Sequence, residues 1–384
     1  MGKVAESFGK NRRKCFFRAS DAMSDSSSRI GFLDVARGMG IVFVLLGHNL
    51  WSQSKGSAII FNFHMPLFYF LSGIFFSAEK TKQAKDILYK VISIMLPVPL
   101  LAAIASLVFV ADPSQLGQFS MRTFDTFIIH GEPWYDKPLW FFTSLAGVVL
   151  VFSLISRWFL ERKRRLVVYR VAFLFVFLFL SIIMAKAPAS FRKVWSPAML
   201  ATLPIGIFYY GLGYFTKGWI EKLKNIHADG GGGAFTLCLI AVANILITIL
   251  MLTCDVATKP DVRTARLGSW LFFPRSLCGI TAVILLARAI PAKVGIPLAF
   301  IGRYSIVFFA LEFVTFPYLA KILCSIVPGY SHLKIAEDTQ VWQSCLAVLG
   351  QIAVLAAISP IMAKMLLKWR SVADGTIEKW FVCK

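Results

Sequence analysis

The chain has 384 residues, 57% of them hydrophobic, and a mean hydropathy of +0.69. Charged residues make up only 16%, against about 25% in a typical soluble domain, yet 41 Lys+Arg outweigh 20 Asp+Glu for a net charge of +21. This apolar excess excludes a soluble globule and a disordered chain. Basic residues squeezed between long apolar runs also exclude a nucleic-acid-binding face, so an integral membrane protein with basic loops remains.

In chain order, a basic tail (1–30) precedes a first apolar run at 35–51. No small-residue cleavage site follows it in "LLGHNLWSQSKG", so it reads as a span and not as a signal peptide. Asp34 and Arg37 stand at its start and His48 near its far end. A helix carrying such groups belongs among other helices, and the groups mark a functional site. Arg37 and His48 are eleven residues apart, about three turns plus 20° and roughly 16 Å of rise, so they share one face. Asp34 lies three residues before Arg37 and is placed to pair with it.

The second run, 57–77, contains "FNFHMPLFYFLSG" (61–73). A five-residue link makes the first two spans an antiparallel hairpin and brings His48 and His64 to similar depths. Pro66 loosens the backbone ladder beside them. Further spans are predicted at 87–111, 138–156, 167–185, 198–216, 234–253, 268–287, 304–320 and 342–363, ten in all.

The loop 112–137 contains "IIHGEPWYDKP", whose His130, Trp134, Tyr135 and Asp136 suit either a ligand contact or an interfacial aromatic belt. Arg275 and Glu312 are isolated charges inside late spans. Each costs about 3 kcal/mol or more at mid-membrane, so they either pair with one another or line a hydrated substrate cavity. Seven cysteines without a C-x-x-C pair read as small buried hydrophobes, and no metal site is evident.

Charge orients the spans. With the N-terminus in the cytoplasm, the cytoplasmic loops and tails carry 28 Lys+Arg and the opposite loops 11. That asymmetry places both termini in the cytoplasm, with "RWFLERKRR" (157–165) as the strongest anchor. No GxSxG elbow, phosphate-cradling GxxxxGK loop or HExxH pair occurs. What remains is histidine-centred transfer chemistry inside the bilayer. A neutral imidazole takes a proton from an alcohol near neutral pH, and an arginine holds phosphate or polarises a carbonyl. A membrane transporter or flippase, without chemistry, is the alternative, and a membrane scaffold or sensor a further one.

The segments "RIGFLDVARGMGIVFVLLGH" (29–48) and "FNFHMPLFYFLSGIFF" (61–76) resemble the membrane acyltransferase 3 family, whose hallmark is an Arg, ten residues, then a His. Arg37 and His48 stand in those places. The flavour is similar to fucose 4-O-acetylase-like and exopolysaccharide sugar O-acetyltransferases. "KPLWFFTSL" (137–145), "LPIGIFYYGLGYF" (203–215) and "FIGRYSIVFFALE" (300–312) resemble later family segments. One departure is that the late motif usually ends in a His where this chain has Glu312.

The resemblance implies an all-α, multi-pass domain (31–366) in a bacterial cytoplasmic membrane, between tails 1–30 and 367–384. It implies transfer of an acyl group, usually acetyl, from acyl-CoA to a carbohydrate or lipid-linked oligosaccharide, with no metal and no nucleic acid. In that setting His48 is the general base or, alternatively, an acyl-carrying nucleophile, and His64 shares the proton. Arg37, Asp34 and Lys90 attend the donor. Trp140, Trp134, Tyr135, Arg275 and Glu312 attend the acceptor.

Overall fold

The computed structural model describes residues 31–49, 55–81, 83–98, 100–101, 140–156, 167–188, 190–191, 197–224, 231–254, 260–262, 265–327 and 341–382. Among these, the chain forms α-helices joined by two 3₁₀ turns, Ala78–Thr81 and Pro197–Thr202, and the only β pairing is an isolated bridge between Asp261 and Arg266. The helices are α1 (Gly31–Asn49), α2 (Lys55–Ile74), α3 (Ala84–Met95), α4 (Trp140–Ile155), α5 (Val167–Lys186), α6 (Leu203–Lys224), α7 (Gly231–Cys254), α8 (Phe272–Ala289), α9 (Ala292–Arg303), α10 (Ser305–Ile326) and α11 (Val341–Val382).

Burial separates centre from rim. The apolar span within α2 is 78% buried, against 6% for α5 and 17% for α7. So α1, α2 and α8 form the middle of the bundle, while α5 and α7 present apolar sides outward, as lipid-facing helices do. Apolar side chains gain little from leaving lipid for one another, so close backbone approach has to supply much of the cohesion. Two glycine pairs provide it. A Cβ on Gly38 would overlap the Leu298 carbonyl, and one on Gly302 would overlap the Asp34 carbonyl, so α1 and α9 cross at backbone contact. Gly73 and Gly213 do the same for α2 and α6, against the carbonyls of Tyr210 and Phe70. Buried hydroxyls add specific links. The Tyr69 hydroxyl meets Ser144 Oγ at 2.6 Å, and Ser144 in turn meets Thr202, while Tyr209 pairs with Ser276 between α6 and α8.

Ten spans are expected from the sequence, whereas six of the described helices are long and apolar enough to cross a membrane, or seven if a bent pair is one span. The differences have local causes. The expected span at 138–156 is the 16-residue α4, short of a full crossing. At 198–216 the chain begins as a 3₁₀ turn and continues into α6, whose last two turns carry Lys217, Glu221, Lys222 and Lys224. Within 87–111, α3 is described only to its end at Met95 and a short continuation, and 102–139 lies outside the described residues. The segment 288–303, expected as a loop, contains α9, which packs along α1 and meets α10 at a 65° bend. At the other end, α11 runs on past residue 366 to Val382.

Candidate active site

His48 sits in the last turn of α1 and His64 two residues before Pro66 in α2. Their rings lie 6.4 Å apart and nearly perpendicular, with Phe61 against both, 5.6 Å from His48 and 4.7 Å from His64. Nδ1 of His64 lies 2.9 Å from the Ile60 carbonyl oxygen. A carbonyl only accepts, so this nitrogen carries the hydrogen and Nε2 is the ring's basic atom when the imidazole is neutral.

Glu312, in the middle of α10, brings its Oε1 to 2.7 Å from Nδ1 of His48. The carboxylate is 3% exposed and the imidazole 29%, so the buried acid stands behind an accessible base. Neither carboxylate oxygen accepts a well-angled hydrogen bond among the described residues, so the contact is an ion-pair approach. At 2.7 Å one of the two facing atoms must carry a proton. A proton on Nδ1 compensates the buried carboxylate and leaves Nε2 as the basic nitrogen of the neutral ring.

Two amides brace this couple. Asn49, next to His48, donates to Gln351 Oε1 at 2.9 Å and to the Leu45 carbonyl at 2.7 Å. Gln351 Nε2 donates to the Glu312 carbonyl at 3.0 Å. Ser344 also donates to the Asn49 carbonyl at 3.1 Å. Thus α11 bridges the helices that carry the base and the acid. Asn49 and Gln351 were not singled out in the sequence, although a glutamine inside the apolar run 342–363 is the kind of signal that exposes such a brace.

Arg37 lies at the opposite end of α1. It approaches Asp34 at 3.6 Å, and its guanidinium stands over the Phe75 ring at 4.4 Å. Asp34, 1% exposed, also lies 3.7 Å from Arg303 at the end of α9. Arg303 is a second cation at this end that sequence reading did not identify. Lys90 stands over the neighbouring Phe76 at 4.3 Å, so Arg37 and Lys90 occupy one end of the bundle. Arg37 and Lys90 each keep their charge near an aromatic face, where attraction to the ring offsets part of the desolvation.

The other sequence-predicted residues lie apart from this couple. Arg275 is 1% exposed and donates to the Met251 carbonyl, tying α8 to α7. Of the two alternatives for these charges, the pairing of Arg275 with Glu312 is replaced by two separate contacts, Glu312 with His48 and Arg275 with the Met251 carbonyl. Trp140 is buried at the start of α4, edge-on to Phe141. Trp134 and Tyr135, with His130 and Asp136, lie outside the described residues. No group of three or more His, Cys, Asp or Glu placed to hold a metal ion occurs among the described residues.

The model of the acyltransferase domain matches residues 30–363, which span both histidines, Glu312 and Gln351. No curated protein matches the chain significantly. With most of its length covered, the chain belongs to the acyltransferase 3 family, and the apolar helices make it a multi-pass membrane acyltransferase.

Proposed function

We propose that this member of the acyltransferase 3 family is an O-acyltransferase that moves an acyl group, acetyl by preference, from acyl-CoA to a sugar hydroxyl. The acceptor is a surface or exported polysaccharide, or its lipid-linked precursor, at a bacterial cytoplasmic membrane. The observation that carries this reading is the accessible His48 imidazole backed at 2.7 Å by the buried Glu312 carboxylate. That arrangement supports base catalysis and requires no metal ligand set.

The step follows from the atoms. Nε2 of His48 takes the proton of the sugar hydroxyl as its oxygen attacks the thioester carbonyl carbon. The resulting imidazolium carries a proton on both ring nitrogens, and the Glu312 carboxylate beside Nδ1 stabilises that charge in a site of low dielectric. Collapse of the tetrahedral intermediate breaks the carbon–sulfur bond, and the leaving thiolate takes up the proton held by His48. His64 lies within reach to share or orient that proton. Arg37 and Lys90, with Asp34 beside Arg37, suit the phosphates of the donor, which enters from the end of the bundle opposite His48. Roughly 16 Å of α1 separates the two ends, a length that an extended pantetheine arm covers.

The test is the acyl content of the cell's polysaccharide, by mass spectrometry and NMR, with His48→Ala against wild type at matched protein levels. Loss of acylation with unchanged glycan export is expected. Unchanged acylation removes His48 from the reaction, and a fall in exported glycan without loss of decoration favours transport.

A further inference from the structure

The geometry points to a binding site for the phosphate headgroup of an anionic phospholipid, in a groove between the start of α5 and the end of α6. This site is separate from the histidine couple and does not depend on the transfer reaction.

The groove has a volume of about 390 Å³ and is lined by Arg170 from α5 and by Tyr214, Lys217, Trp219 and Lys222 from α6. Helical spacing makes it. On α6, residues 214, 217, 218, 221 and 222 fall at i, i+3, i+4, i+7 and i+8, a single face. Gly218 is in the middle of that face, and a Cβ built on it meets nothing within 4 Å, so the floor of the groove is open because this residue has no side chain. The lining brings three cations and one acid, Glu221, a local excess of positive charge. Arg170 stands 5.7 Å from the centre of the Phe215 ring and Lys222 stands 6.0 Å from that of Trp219, so two of the cations flank the groove over aromatic faces.

Position decides which phosphate belongs there. Phe76, beside Lys90 and next to the Phe75 that carries Arg37, packs on Tyr214 at 5.3 Å, so the groove is at the basic end of the bundle. It opens at the foot of α5, one side of which packs on the core while the other is exposed. Val171, Phe175 and Phe179 form an apolar stripe at i, i+4 and i+8, running about 12 Å away from Arg170. Trp219, 76% exposed, stands at the rim as interfacial tryptophans do. An anionic phospholipid meets every part of this surface, with its phosphate among Arg170, Lys217 and Lys222 and its chains along the α5 stripe. A soluble nucleotide phosphate has no use for the stripe.

The test is native mass spectrometry of the detergent-solubilised protein with dioleoylphosphatidylglycerol or dioleoylphosphatidylcholine at equal concentration. Wild type is expected to hold phosphatidylglycerol preferentially. The Gly218→Leu variant, which fills the groove, and the triple variant Arg170→Gln, Lys217→Gln, Lys222→Gln are each expected to lose that adduct by on the order of tenfold or more. Gly218→Ala is expected to keep the wild-type unfolding temperature, and Gly218→Leu serves alone if the triple variant does not fold. Equal retention of phosphatidylglycerol by Gly218→Leu and wild type overturns the proposal. So does displacement of the adduct by free coenzyme A, which would assign the groove to the nucleotide.

Discussion

Nδ1 of His48 lies 2.7 Å from Oε1 of Glu312, although the two residues come from α1 and α10. A carboxylate at this distance holds the ring in one orientation and one tautomer. Replacing Glu312 by Gln keeps the shape and removes the charge. Turnover is expected to fall roughly tenfold or more, about 1.4 kcal/mol of transition-state stabilisation, with little change in KM for acyl-CoA. His48→Ala is expected to cost about 10²- to 10⁴-fold. Steady-state kinetics on purified protein measure both, and wild-type turnover in Glu312→Gln would show that the acid does not act through His48.

Gln351 connects the couple to α11 through Asn49 and the Glu312 carbonyl. Gln351→Leu leaves a buried carbonyl and an amide short of their partners. The expected loss is about 1–3 kcal/mol of stability, with a fall in turnover that exceeds the change in donor binding. Thermal unfolding together with kinetics separates the two effects. A variant that is destabilised but turns over normally would make Gln351 a purely structural residue.

The α1–α9 crossing has no room for a methyl group at Gly38 or Gly302. Each Gly→Ala change is expected to force the helices apart, costing roughly 1–3 kcal/mol, and the double variant is expected to cost less than the sum because both relieve one contact. Gly31→Ala, in open space, is the control. Additive losses in unfolding temperature would mean that the two glycines guard separate contacts.

Arg37 is the cation near the start of α1 that the eleven-residue spacing to His48 and the contact with Asp34 both single out. Arg37→Ala is expected to weaken acetyl-CoA binding about ten- to hundredfold, as loss of a charge-assisted hydrogen bond does. Isothermal titration or competition binding reads this directly. Equal affinity in the variant takes Arg37 out of the donor site.

The charge asymmetry of the loops predicts sidedness. In a background without native cysteines, Lys55→Cys is expected to react with an impermeant maleimide in intact cells, and Lys217→Cys only after permeabilisation. The reverse pattern inverts the protein and moves the donor to the other face.

The Arg37–His48 pair was legible because an eleven-residue spacing fixes one helix face without help from the rest of the fold. The hairpin of α1 and α2 was legible too, since a short link leaves two apolar runs no other arrangement. Glu312 was visible as a buried charge, but its partner was not, because pairing between α1 and α10 is set by tertiary packing. Arg275 offered an equally plausible counter-charge by sign alone. The α9 helix was hidden because Pro291, Pro297, Lys293 and Arg303 read as loop residues, whereas it is the backbone fit of Gly38 and Gly302 that holds it in place. Six or seven of the described helices reach the length and apolarity of a crossing where ten spans were expected, because the apolar runs at 138–156 and 198–216 include a shortened helix and a 3₁₀ turn that hydropathy does not distinguish from a crossing helix.

The 42 residues of α11 make a rod about 63 Å long, twice the thickness of a hydrocarbon core. Gln351 engages it with the His48–Glu312 couple, while Trp369 and Arg370 bond to Leu96 and Tyr89 beside Lys90. Between these attachments Pro360 withholds an N–H from the Ala356 carbonyl, which makes it the most compliant point of the shaft. The shaft is held on both sides of this point, by Gln351 on one and by Trp369 and Arg370 on the other. One continuous helix therefore ties the end of the bundle that carries Lys90 to the end that carries the His48–Glu312 couple, so both ends of the site are registered on a single backbone.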